Sequence, residues 1–191
     1  MNSIHLQQLT PALLALIPDN PIAELGAGNP NREAEAELSS LHLDRLFAPH
    51  TIVDAEMAAA CHSGLWLAHN FLDESHTLSQ SIETTTGSYW HGIMHRREGD
   101  FSNAKYWFRK VGQHPVFAPL QAAAAALAEE RDVKGHAEFL ATQTDWDPMA
   151  FIDLCEWLES GRADEAELAG RIARQEWELL MQYSFNQAIA N

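Results

Sequence analysis

Asp54-Ala55-Glu56-Met57-Ala58-Ala59-Ala60-Cys61-His62-Ser63-Gly64-Leu65-Trp66-Leu67-Ala68-His69 is apolar on almost every side of a 3.6-residue period. A helix with so little polar surface must be enclosed by others, so this segment predicts a helical bundle with itself at the centre. Thr51 or Asp54 supplies the cap, and the pattern predicts one helix running to at least Leu72 and as far as Gln80. Gly64, in its middle, costs about 1 kcal/mol against Ala, which predicts close approach by another backbone.

On either side of this segment the signals are helical too. Thr10-Pro11 places a capping hydroxyl before a proline at the first helical position. Arg32 to about Phe47 reads as a charged, exposed helix; Ser88 to about Glu98 reads as a helix, and Ser102 as the cap of one ending at Val111. Pro119 with the alanine run after it starts a further helix. Asp147-Pro148 opens one that stops at Ser160-Gly161, and the last runs from about Asp164 to near Ala188. No stretch alternates apolar and polar residues with β-branched enrichment, so no strand is predicted. The expected fold is all-α, a bundle of about seven or eight helices in a single domain over residues 1–191. Such a length buries about 70% of the unfolded chain's surface and needs no metal or disulfide for stability.

Composition narrows the function classes. Twelve Lys and Arg against 27 Asp and Glu give a formal charge of −15. That balance repels phosphate backbones and anionic lipid, so neither nucleic acid nor a membrane surface is an expected partner. The run Leu13-Leu14-Ala15-Leu16-Ile17 is short, lacks a basic leader and is closed by Pro18. It is neither a signal peptide nor a span, and the expected location is the cytoplasm. Cys61 and Cys155 sit in apolar helical patterns and read as buried, unpaired thiols.

Trp90 to Gly112 forms a helical hairpin by its punctuation. Gly92 and Ala104 are small enough for two helices to approach, Gly99 turns the chain, and Phe108 fills the gap. This spacing resembles one unit of a tetratricopeptide or Sel1-like repeat, with Ala104-x-x-Trp107-Phe108-x-Lys110 similar to the second helix of the Sel1 type. The resemblance implies one embedded hairpin rather than an array, since no second copy follows and an array needs about three units. The longer string from Asn70 to Arg109 resembles a family of uncharacterised proteins, which implies no activity.

Histidine placement carries the functional expectation. His62, Trp66, His69, Asp73, His76 and Gln80 follow spacings of 4, 3, 4, 3 and 4. On a continuous helix they fall within an arc of about 80°. His91, His95 and Glu98 repeat the pattern on the hairpin's first helix. If the two helices pack antiparallel, the stripes face each other across a pocket lined with Trp66 and Trp90. The expected function is binding of a small molecule or peptide by His69, Asp73, His76, His91, His95, Trp66 and Trp90. The alternative is an enzyme, a hydrolase or metal-dependent, built on the His69/Asp73/His76 and His91/His95 cluster. His69, His76, His91 and His95 are the candidate metal ligands, because imidazoles at i and i+4 point the same way. No particular cofactor and no catalytic motif is legible. Arg96-Arg97 reads as a salt-bridged helix end, with an anion clamp as the other reading. Trp107, Trp146, Trp157 and Trp177 read as core.

Overall fold

Caps decide where the helices begin. In the computed structural model, residues 6–22, 24–131, 133–159 and 163–189 are described. They carry eleven α-helices and no strand. The short ones are α1 (Pro11–Ala15), α2 (Glu35–Ser39), α3 (Leu43–Leu46) and α9 (Phe139–Thr142). The long ones are α4 (Ala55–Ala68), α5 (Leu72–Ser79), α6 (Thr85–Glu98), α7 (Phe101–Val111), α8 (Phe117–Glu129), α10 (Pro148–Leu158) and α11 (Ala163–Ala188). Thr10, Asp54, Thr84, Asp100 and Asp147 each accept a backbone N–H of their helix's first turn. Asp100, rather than the expected Ser102, caps α7. The expected helix stop at Ser160-Gly161 lies outside the described residues.

The count of eleven exceeds the expected seven or eight, and two breaks account for part of the difference. The predicted Arg32–Phe47 helix divides into α2 and α3. The hydroxyls of Ser39 and Ser40 donate back to the carbonyls of Glu35 and Ala36, and His42 is extended. The predicted continuous helix from Asp54 towards Gln80 stops at Ala68. Asn70 takes a left-handed conformation, φ 62°, and the chain reverses into α5. Ser63 and Ser75 then meet across the two helices, Oγ to Oγ 2.9 Å.

α4 is central as its sequence requires, buried from Gly64 to Ala68. The close approach at Gly64 is made by side chains rather than by a backbone. A Cβ there would lie 2.8 Å from both Met181 and Trp90. Trp177 donates from Nε1 to the Gly64 carbonyl at 2.8 Å. α11, the longest helix, brings Trp177, Met181 and Phe185 into this core. No helix among the described residues is long and apolar enough to cross a membrane.

α6 is the less expected central element. Every residue from Thr86 to Arg97 is buried, although the segment contains two histidines and two arginines. It is enclosed by α4, α5 and α7, and its side chains reach α11. A polar helix can be buried only if each polar group finds a partner, and these do so across the bundle.

α6 and α7 form the hairpin around Gly99. The neighbour that Gly92 admits is the ring of Phe108, one turn beyond Ala104: a Cβ on Gly92 would sit 2.7 Å from it. Replacing Gly92 with Leu is expected to lower stability by about 1–3 kcal/mol through overpacking. Thermal melting of the variant checks this, and an unchanged midpoint would refute so close a contact.

Candidate functional site

Three groups of polar side chains on α6 stand out, and in one of them three imidazoles meet. His91 and His95, one turn apart on α6, meet His76 of α5. Ring centroids lie 4.6 Å apart for His76–His91 and for His91–His95, and 5.4 Å for His76–His95. One nitrogen of each ring lies within 4.8 Å of the others. His91 and His95 are buried and His76 is half-buried.

Hydrogen bonding selects the tautomers. Ser79 Oγ is 2.9 Å from His91 Nδ1 and 3.3 Å from the His76 carbonyl. Its one hydroxyl hydrogen suits the carbonyl, so the oxygen accepts from His91 Nδ1–H and the His91 Nε2 lone pair stays bare. Glu98 Oε1 accepts from His95 Nδ1–H at 2.5 Å, which leaves Nε2 of that ring as the lone pair as well. Asn103 Nδ2 donates to this nitrogen at 3.0 Å, so an ion taking it as a ligand must displace that amide. A carboxylate or hydroxyl behind an imidazole is the arrangement that orients a metal-ligating histidine. Burial, and after it the nearby His95, His76 and Lys110, push the His91 imidazole down to about 3. The ring is therefore neutral at physiological pH, as a ligand must be. Trp107 of α7 packs on His91 with centroids 4.1 Å apart, and Lys110 Nζ stands 4.0 Å above the Trp107 ring.

The other expected site residues lie elsewhere. His69 ends α4, and both its nitrogens are occupied: Nε2 donates to the Leu16 carbonyl at 2.8 Å and Nδ1 accepts from Asn31 Nδ2 at 3.0 Å. It fastens the loop before α2 to the end of α4. Asp73 is exposed and shares a shallow groove of about 310 Å³ with His62, Trp66 and Thr77. Trp66 stacks on His62 and meets Phe71 edge-on. Trp90 is core, donating from Nε1 to Ser184 Oγ at 3.2 Å. The chain reversal at Asn70 is the reason. It divides the predicted stripe, so only His76 reaches the histidines of α6. The aromatic wall is Trp107, which read as core, and Ser79 gave no signal in the sequence.

The second group is an ion pair between Arg96 and Glu176 of α11, joined by Tyr89, whose hydroxyl donates to Glu176 Oε1 at 3.0 Å. The third is Arg97, which donates to the carbonyls of Leu67 and Gly26. Neither is a helix-end salt bridge or an anion clamp, because both guanidinium groups are buried and satisfied within the fold. Cys61 and Cys155 are unpaired and buried; burial raises both thiols, that of Cys155 to about 11, so neither is a nucleophile at neutral pH.

No protein-family model, no curated protein and no solved structure matches this chain. The functional reading accordingly rests on the geometry of these groups.

Proposed function

We propose that the protein binds a divalent transition-metal ion through His76, His91 and His95, and through that ion a small ligand. The observation that carries the reading is the convergence of three imidazole nitrogens within 4.8 Å at a largely buried point. Neutral imidazole suits zinc, copper, nickel and iron, at about 2.0–2.1 Å for zinc. A tetrahedral ion needs ligand nitrogens about 3.4 Å apart, so each pair of rings closes by roughly 1.4 Å or less. Ser79 and Glu98 support the rings from behind. Three protein ligands with another position left for water or ligand is the pattern of sites that bind or transform small molecules.

Equilibrium dialysis of the untagged chain against Zn²⁺ or Co²⁺ tests the reading. One ion per chain is expected, with a raised melting temperature, since an ion that binds only the folded state stabilises it. Replacing His91 or His95 with Ala is expected to abolish stoichiometric binding. Glu98→Gln, which keeps the ring but weakens its support, is expected to lower affinity about 10–100-fold. Binding that survives in the His91→Ala/His95→Ala double variant would refute the site.

A further inference from the structure

Away from the histidines, a hollow of about 440 Å³ lies between the start of α7, the last turn of α10, the first turns of α11 and the stretch 24–26. Its inner surface is mostly apolar. Phe101, Cys155 and Leu158 are buried there, and Leu25 and Ala166 are half-buried. A mostly apolar hollow of this size with a few polar groups has the form of a small-molecule site.

One glycine on its wall marks space that the fold leaves open. Glycine is disfavoured inside a helix, so a helical glycine calls for a reason. Gly64, Gly87 and Gly92 have one, because a Cβ on each would lie within 3 Å of a neighbouring side chain. Gly170 of α11 has none of that kind: among the described residues, nothing lies within 4 Å of a Cβ built there.

The charge around the hollow is one-sided. Glu24, Glu159 and Glu167 line it, and all three are exposed. Glu167 pairs with Arg131 at 2.7 Å, and Glu24 stands within electrostatic reach of Arg97. Among the described residues Glu159 makes no ion pair. Arg96 is the single cation on the lining, and its charge is met by Glu176 within the fold. Carboxylates at the mouth of an apolar hollow attract cations and repel anions.

We infer that this hollow binds a small organic cation, its apolar body laid against Leu25, Phe101 and Leu158 and its ammonium group at Glu159. The site shares no residue with His76, His91 and His95, so it stands whether or not they hold an ion.

Calorimetric titration of the full chain with three indoles tests this. Tryptamine, tryptophol and indole-3-propionate carry the same ring on a two-carbon arm that ends in an ammonium, a hydroxyl or a carboxylate. Saturable binding of one molecule per chain is expected, tightest for tryptamine and weakest for indole-3-propionate. Glu159→Gln is expected to weaken tryptamine about two- to fivefold, the range for one solvent-accessible charge pair, and to leave tryptophol unchanged. Glu156→Gln removes the same charge from α10, but Glu156 faces Lys105 and lies outside the hollow, so wild-type affinity is expected. Gly170→Leu places a side chain in the open space. It is expected to abolish binding of tryptamine and tryptophol, while the melting temperature holds or rises because leucine is the better helix former. The His91→Ala/His95→Ala variant is expected to bind tryptamine as wild type does, which separates this site from the metal reading. Indole-3-propionate binding as tightly as tryptamine would overturn the cation assignment. Equal weakening by Glu156→Gln and Glu159→Gln would remove Glu159 from the site. Tryptamine binding unchanged in Gly170→Leu, or no saturable binding of tryptamine to the wild-type chain, would refute the inference.

Discussion

Glu176→Ala is expected to destabilise the fold by about 3–5 kcal/mol, the cost of leaving one partner of a buried ion pair alone. Arg96 on α6 and Glu176 on α11 are 3% and 0% exposed, so water does not replace the lost partner. The guanidinium makes two bonds, Nη1 to Oε1 at 3.3 Å and Nη2 to Oε2, and lies over Phe151 at 4.7 Å. Tyr89 donates to the same carboxylate. Burial, and then the Glu176 charge, hold the Tyr89 phenol well above its ordinary range, so it remains a donor at any physiological pH. Removing the carboxylate therefore strands both a cation and a hydroxyl. Urea unfolding of two variants separates this from simple loss of packing. Glu176→Ala is expected to fall by the full amount. The double variant Arg96→Met/Glu176→Leu is expected to recover most of it, because an apolar pair of similar volume removes the stranded charge. A Glu176→Ala midpoint close to wild type would refute the burial argument.

Arg97→Met is expected to cost about 2–4 kcal/mol, and its effect should be local in position. Arg97 is 1% exposed and, among the described residues, has no carboxylate in hydrogen-bond contact. Its guanidinium instead donates to Leu67 O at 2.6 Å, Asn70 Oδ1 at 2.6 Å, Gly26 O at 3.2 Å and Ala27 O at 3.4 Å. Burial, and next the charge of Arg96, lower it to about 10, so the cation persists at neutral pH. The Leu67 carbonyl lies in the last turn of α4, where a cation is favoured by the helix dipole. Each buried acceptor left without a donor costs about 1–3 kcal/mol, and the more exposed Gly26 and Ala27 carbonyls can turn to water. The stretch 24–31 is joined to the end of α4 by Arg97 and also by His69 and Asn70. Hydrogen exchange should therefore rise first at residues 24–31 in Arg97→Met, while the amides of α6 stay protected. Uniform loss of protection through the bundle would contradict the local role. Arg97→Lys, with one ammonium in place of a fork, is expected to restore only part of the loss.

These two arginines show how hydropathy misleads. Arg96 and Arg97 read in the sequence as a salt-bridged helix end, yet α6 is buried from Thr86 to Arg97. Its partners lie 80 residues away for Arg96, between 27 and 71 for Arg97 and 12 for His91. A polar residue with a distant partner looks the same in sequence as one facing water.

Local chemistry settled a good deal without the tertiary structure. The period of the apolar residues made the chain helical throughout. Short-range hydrogen bonds made Thr10, Asp54 and Asp147 caps. The turn at Gly99 came from backbone freedom, and the shared face of His91 and His95 from their spacing of four. These interactions lie within a turn or two of helix, so neighbouring residues suffice to specify them. The site itself was decided in three dimensions. The left-handed Asn70, held by Arg97 Nη2 and the Asn29 carbonyl, turns α5 back along α4. That reversal sends His69 to Leu16 and Asn31, turns Asp73 to solvent, and delivers His76 to His91 and His95. The free energy difference between continuing a helix and breaking it at one asparagine is small. Packing of distant segments, rather than the propensity of residues 69–71, selects the break and with it the composition of the histidine cluster.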